Sequence, residues 1–157
     1  MKRWLLYLIV LGLIQLIPVE RADVGKLRPV QAVVVCRQDG QVIIKTDTAD
    51  YGIGETVLGA LESLKETTPA VIYLDTAQYL IVAEDTLDAA DELRKSLKDD
   101  VRVYKFKGKI NPELAAQFLS AHEKGPRLKN WKIGDPLPIL DCSEDRIKFL
   151  SNFKNSA

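Results

Sequence analysis

The chain opens on its most apolar stretch. Residues 1–19 hold 14 apolar side chains, with no polar group from Trp4 to Leu11 and further apolar positions at Leu13, Ile14, Leu16, Ile17 and Val19. Lys2 and Arg3 precede the run, and Glu20, Arg21 and Asp23 follow it. A positive start before an apolar segment is the pattern of a secretory signal or signal anchor, with the basic end retained on the cytoplasmic side. As a helix the run of about 16 residues measures about 24 Å, slightly short of a hydrocarbon core. No Cys follows it, which excludes a lipidated start, and Glu20 stands where a cleavage site ending at Ala22 needs a small residue. We therefore expect a single-pass membrane protein held through residues 4–19, with an extracytoplasmic C-terminal domain. The alternative is a protein secreted after signal cleavage.

Beyond the anchor the periodicity changes. Residues 20–29 read as a polar linker. Val30 to Arg37 and Gln41 to Thr46 are β-rich runs separated by Gln38-Asp39-Gly40, a hairpin signal. Asp47 to Gly54 reads as a loop. Val57, Ala60, Leu61 and Leu64 then recur at helical spacing, predicting a helix over Glu55–Thr67 that Pro69 stops. Ala70–Leu74 and Tyr79–Val82 predict two short strands. Thr86–Lys98 predicts a second helix, capped by Thr86 or Asp85 and striped by Leu87, Ala90, Leu93 and Leu97.

Val101 to Lys107 alternates, with Val101, Val103, Lys105 and Lys107 on one face and Arg102, Tyr104 and Phe106 on the other. The lysines suggest an exposed or edge strand. The third helix has Asn111 as N-cap, Pro112 in its first turn, a buried face of Leu114, Phe118 and Ala121, and Gly125-Pro126 beyond its end. These elements give the order ββαββαβα. We expect an α+β fold: an N-terminal hydrophobic helix, then one domain over residues 30–133 with a mixed or antiparallel sheet and helices mainly on one face. Residues 134–157 read as a partly ordered tail.

Composition narrows the function classes. The 157 residues carry 22 basic and 22 acidic side chains and are 46% hydrophobic, which excludes a disordered or polybasic chain. The zero net charge is a cancellation. Residues 1–19 contribute +2; residues 20–100, with 9 basic and 16 acidic residues, −7; and residues 101–157, with 11 and 6, +5. The acidic first part and the basic last part either attract each other within one fold or present two faces to a partner or anionic lipid, and an exposed patch of Lys105, Lys107, Lys109, Lys129 and Lys132 is predicted on one side. We expect no nucleic-acid partner.

Catalytic sets are missing from the sequence. His122 is the single histidine, and Cys36 and Cys142 are the two cysteines, too few for a zinc site. Cys36 ends a Val-rich run and reads as a buried strand residue, while an exported setting leaves a Cys36–Cys142 disulfide open. Asp47 with Asp50, Glu84 with Asp85, Asp99 with Asp100 and Glu144 with Asp145 lack calcium-loop spacing and read as caps and turns. Gly52-Ile53-Gly54-Glu55-Thr56 precedes a helix, so Gly52, Gly54 and Thr56 are a candidate ligand or partner surface. Without the Lys-Ser/Thr end of a phosphate loop, however, a structural turn capped by Thr56 is the stronger reading. No enzyme activity, cofactor or metal is expected.

GIGETVLGALESLKET leads from a glycine turn into a helix, VIYLDTAQYLIVAED follows as a strand pair ending in acidic residues, and VRVYKFKGKI precedes PELAAQFLSAHEKG. Across roughly residues 52–133 this pattern resembles part of the C-subunit (Ger(x)C) family of spore germinant receptors. The resemblance implies an extracytoplasmic, membrane-tethered module in a spore-forming bacterium and offers no catalytic residue. Together these readings predict a non-enzymatic domain that binds a protein partner in sporulation or germination. The alternative is an exported small-ligand or peptide-binding domain.

Overall fold

The computed structural model describes residues 27–142 and 146–150. The apolar run of residues 1–19 and the first part of the linker lie outside the described residues. Among the described residues no helix is long and apolar enough to cross a membrane.

A seven-stranded mixed sheet organises the chain. In sequence order the strands are β1 (Leu27–Pro29), β2 (Ala32–Gln38), β3 (Gln41–Thr46), β4 (Tyr51–Gly54), β5 (Val71–Tyr73), β6 (Tyr79–Ala83), β7 (Arg102–Gly108), β8 (Ile139–Cys142) and β9 (Lys148–Phe149). The helices are α1 (Val57–Thr67), α2 (Leu87–Leu93) and α3 (Pro112–Ala121). The main sheet runs β4-β3-β2-β6-β7-β8-β9, and β1 and β5 form a separate two-stranded sheet. Strands β2, β6, β7 and β8 are mutually parallel, and antiparallel hairpins flank them on both sides.

Each strand and helix expected beyond residue 29 is present, most with shifted bounds, and the structure adds four strands. β1 falls in the stretch read as linker, β4 in the stretch read as a loop, and β8 and β9 in the stretch read as tail. The first hairpin turns on Asp39 and Gly40, both at positive φ (52° and 80°), the backbone that a two-residue turn between right-twisted strands requires.

Parallel strands need cover on both faces. Val33 and Val35 of β2, Leu80 and Val82 of β6, and Val101 and Val103 join Val57, Ala60, Leu61 and Leu64 of α1 and Ala89, Ala90 and Leu93 of α2 in one core. Trp131, 1% exposed, completes it, and Arg94 donates to its carbonyl oxygen at 2.7 Å. On the opposite face Ala32, Val34, Tyr79, Ile81, Tyr104, Phe106 and Leu140 pack with Ala115, Ala116 and Leu119 of α3. Two helices therefore cover one face and the third covers the other.

Three local expectations are corrected. β7 is an interior strand between β6 and β8, not an edge. Its lysines lie toward the carboxyl end, where the strand emerges from under the helices. Thr86 does not cap α2. Its buried hydroxyl stands 3.1 Å from the Ala83 carbonyl and 3.3 Å from that of Val35, tying β6 to β2, and the helix ends at Leu93 rather than Lys98. In α3 the buried stripe is Ala115, Ala116 and Leu119; Leu114 is 44% exposed and Phe118 is half-buried against Phe149. Small residues let this helix lie close to the sheet, so the larger ones sit at its sides.

Candidate functional site

The amino-terminal ends of β6 and β7 open into a polar cavity of about 300 Å³, lined by Ala77, Gln78, Asp100, Arg102, Glu123 and Arg127. Its construction starts at Gly125. A Cβ there would stand 2.7 Å from the Tyr104 ring and 2.8 Å from the Val103 carbonyl oxygen, so only glycine lets the chain after α3 come this close to β7. The buried Tyr104 hydroxyl accepts hydrogen bonds from the amides of Lys124 (3.2 Å) and Gly125 (2.9 Å). Val103 N–H then donates to the Pro126 carbonyl (2.9 Å), and Leu128 N–H to that of Val101 (2.6 Å).

Those two bonds flank an antiparallel bridge between Arg102 and Arg127. The two residues exchange no bond with each other, so they form the more closely spaced class of cross-strand pair, with Cα atoms about 4.5 Å apart. Like charges directly opposite one another are unfavourable. Arg102 is neutralised: its guanidinium pairs with Glu123 at 3.1 Å and donates to the Gly125 carbonyl at 3.0 Å. Tyr79, buried in the core, donates its hydroxyl hydrogen to the other Glu123 oxygen at 3.2 Å. Burial, then this bond to a carboxylate, push the Tyr79 hydroxyl up to about 12. Arg127 has neither a hydrogen bond from its side chain nor an ion pair among the described residues.

Neither a family model, a curated protein nor a solved structure matches this chain. What the protein does therefore rests on its own geometry.

The residues singled out from the sequence lie elsewhere. Gly52 and Gly54 form part of β4, where added Cβ atoms would overlap the α1 backbone at Ala60. They are close-approach residues beneath a helix, so their position is filled by protein. Thr56 caps α1, its hydroxyl accepting from the Gly59 amide at 3.1 Å.

The five lysines do not converge on one point. Lys105 is mostly covered and 3.8 Å from Glu84, with Lys107 and Lys109 following it toward the carboxyl end of β7. Lys129 donates its amide to Asp99 at the other end of that strand. From Val101, which bonds Leu128, to Lys107 is six residues of strand, about 20 Å. Lys132 sits in the turn closed by Asp135.

The acidic loops act as local ties. Asp47 accepts from the amides of Gln31 (2.9 Å) and Ala32 (3.1 Å), and Asp50 pairs with Arg28 at 3.2 Å. His122 ends α3, stacked on Phe118 at 4.6 Å. Among the described residues no group of three or more His, Cys, Asp and Glu is placed to hold a metal ion.

Arg127 and Glu123 have no local signature in the sequence, where Gly125-Pro126 signals only a helix stop. The available signal was the pairing of an alternating strand with a second basic residue just past a glycine.

A second surface lies at the β4 end of the sheet. The glycines of β4 turn toward α1, so Tyr51 and Ile53 face the opposite side, where they are 58% and 40% exposed. Ile53 is opposite half-buried Ile43, and Tyr51 is opposite Lys45. α1 also guards the outer edge: Ser63 Oγ accepts from the Ile53 amide at 3.3 Å, and Thr67 Oγ1 stands 3.2 Å from the Tyr51 carbonyl oxygen.

Proposed function

We propose that this protein is a non-enzymatic, membrane-anchored extracytoplasmic domain that binds a protein partner, in the setting of sporulation or germination. The observation that carries the partner-binding part is the apolar strip of Ile43, Tyr51 and Ile53. One face of the β3–β4 wing is sealed by α1 while the other presents side chains that gain by being covered. The edge itself is occupied by Ser63 and Thr67, which favours a partner that covers the face over one that adds a strand. The anchor and the biological setting rest on the N-terminal apolar run and on the resemblance over residues 52–133.

A photo-crosslinking side chain at Ile53 in the full-length chain, expressed in a spore-forming host, tests the reading. The expected result is a discrete crosslinked species in the membrane fraction, lost when the crosslinker is moved to exposed Glu62 on α1. A fusion that stays soluble in the cytoplasm would overturn the anchor, and an Ile53 probe that gives no discrete crosslink would overturn the surface.

The second reading, an exported small-ligand binder, is favoured by one observation: the polar cavity at the amino ends of β6 and β7. It does not involve the Asp47–Gly54 segment, which folds into the β3–β4 hairpin.

A further inference from the structure

The cavity beside the Arg102–Arg127 bridge is lined by two arginines and two carboxylates. Glu123 and the Gly125 carbonyl occupy the Arg102 guanidinium, and Tyr79 fixes Glu123 from below. That leaves three groups to face a ligand: the Arg127 guanidinium, unpartnered among the described residues, the Asp100 carboxylate and the neutral Gln78 amide. Arg127 is free in its side chain only. Its carbonyl accepts from Asn130 N–H (3.0 Å) and Trp131 N–H (3.1 Å), and the neighbouring Leu128 amide is bonded to Val101, so the base of the side chain is held from both sides. A fixed backbone reduces what must be ordered when the guanidinium takes a partner.

We propose that this cavity binds a small organic carboxylate that carries a hydroxyl or N–H donor next to its carboxyl group. This site rests on the small-ligand reading and does not depend on the apolar strip at β4. Charge and shape select the class. A guanidinium presents a planar fork of N–H donors that matches a carboxylate two bonds at a time. It also relieves the like-charge pair by giving Arg127 the counter-ion that Glu123 already gives Arg102. The Asp100 carboxylate on the same wall repels a multiply charged oxyanion such as phosphate, so a single negative charge fits better. Asp100 and the Gln78 carbonyl are acceptors, and a ligand donor adjacent to the carboxylate satisfies them. At about 300 Å³ the cavity lies at the small end of ligand sites.

The test is a titration of the full chain in detergent micelles, read by the amide shifts of Gln78, Arg102 and Arg127. Ionic strength is held constant with sodium chloride, and the probes are sodium glycolate, acetate and phosphate. Glycolate is expected to give saturable shifts, acetate to bind about tenfold more weakly for want of the donor, and phosphate to give none. Arg127→Lys keeps the charge but loses the fork, and is expected to weaken glycolate about tenfold. Asp100→Ala, which removes one of the two acceptors, is expected to narrow the preference for glycolate over acetate. Unchanged shift dispersion elsewhere in the spectrum shows that each variant is folded. Shifts that rise linearly without saturating, an Arg127→Lys variant that binds glycolate as the parent does, or phosphate binding more tightly than glycolate would each overturn the proposal. A failure here with a positive Ile53 crosslink leaves the partner-binding reading standing.

Discussion

The backbone of Gly52 lies so close to α1 that a methyl group added to it would overlap the carbonyl oxygen of Ala60. This contact joins an edge strand to a helix without side chains between them, and backbone on both sides leaves nothing soft to yield. Gly52→Ala is therefore expected to destabilise the fold by about 3 kcal/mol, at the upper end of overpacking costs. Urea denaturation followed by circular dichroism measures it. An effect below 1 kcal/mol would show that α1 shifts freely on β4.

Two buried acids set the alkaline limit. Burial pushes the Cys142 thiol from its ordinary 9 up to about 11, and burial with the Glu123 bond pushes Tyr79 from 10 to about 12. In each case the unfolded chain loses its proton first, so above the ordinary value it binds fewer protons than the folded one and stability falls as pH rises. The Cys142 contribution is lost between about pH 9 and 11, and that of Tyr79 between about pH 10 and 12. The melting temperature should be flat from pH 7 to 8.5 and then decline. Tyr79→Phe is expected to flatten the upper part of that decline; an unaltered slope would show that the Tyr79 hydroxyl is not held above its ordinary value.

Cys36 and Cys142 share a face of the sheet, but β6 and β7 stand between their strands. Three strand spacings place them about 14 Å apart, while a disulfide needs Cα atoms within about 7 Å. Monomeric protein should show the same mobility with and without reductant under oxidising conditions. Iodoacetamide at pH 8, followed by mass spectrometry, should modify half-buried Cys36 first and reach Cys142 only in denaturant.

Caps should outweigh surface ion pairs. Asn111 accepts from the amides of Glu113 (3.0 Å) and Leu114 (3.3 Å) at the start of α3, and Asn111→Ala is expected to cost about 1 kcal/mol. Arg37 pairs with Asp88 at 3.4 Å, both exposed, and Arg37→Ala is expected to cost less than about 0.5 kcal/mol. Equal losses in chemical denaturation would contradict this ranking.

The parts legible in the sequence were those with a local cause. The Asp39-Gly40 turn, the Thr56 and Asn111 caps and the α1 stripe are each written within a few residues. β4 is hidden because its glycines read as loop signals, although their purpose is close approach to the helix that follows, at Ala60 and Leu64. β7 reads as an edge strand because Lys105 and Lys107 belong to its emerging end, while Val101, Val103 and Tyr104 lie deep between two layers. β8 pairs with β7 across a Pro-rich connection that hides its four-residue pattern. The polar cavity was invisible for the same reason. Arg102 meets Arg127 through a bridge set by tertiary packing, and neither residue has a local pattern that announces the other.

The parallel register of β2 with β6 also bears on how the chain acquires this structure. Val33 to Val35 pair on one side with β3, which follows directly, and on the other with Leu80 to Val82, which arrive only after α1 and β5 have been made. Emerging from the ribosome, the first hairpin and α1 can associate through local loops that close quickly. Until β6 appears, β2 presents an unpaired edge on a run of Ala and three valines, the kind of apolar strand edge that invites pairing with another chain. Docking of β6 buries that edge, which makes it the step that commits the nascent chain.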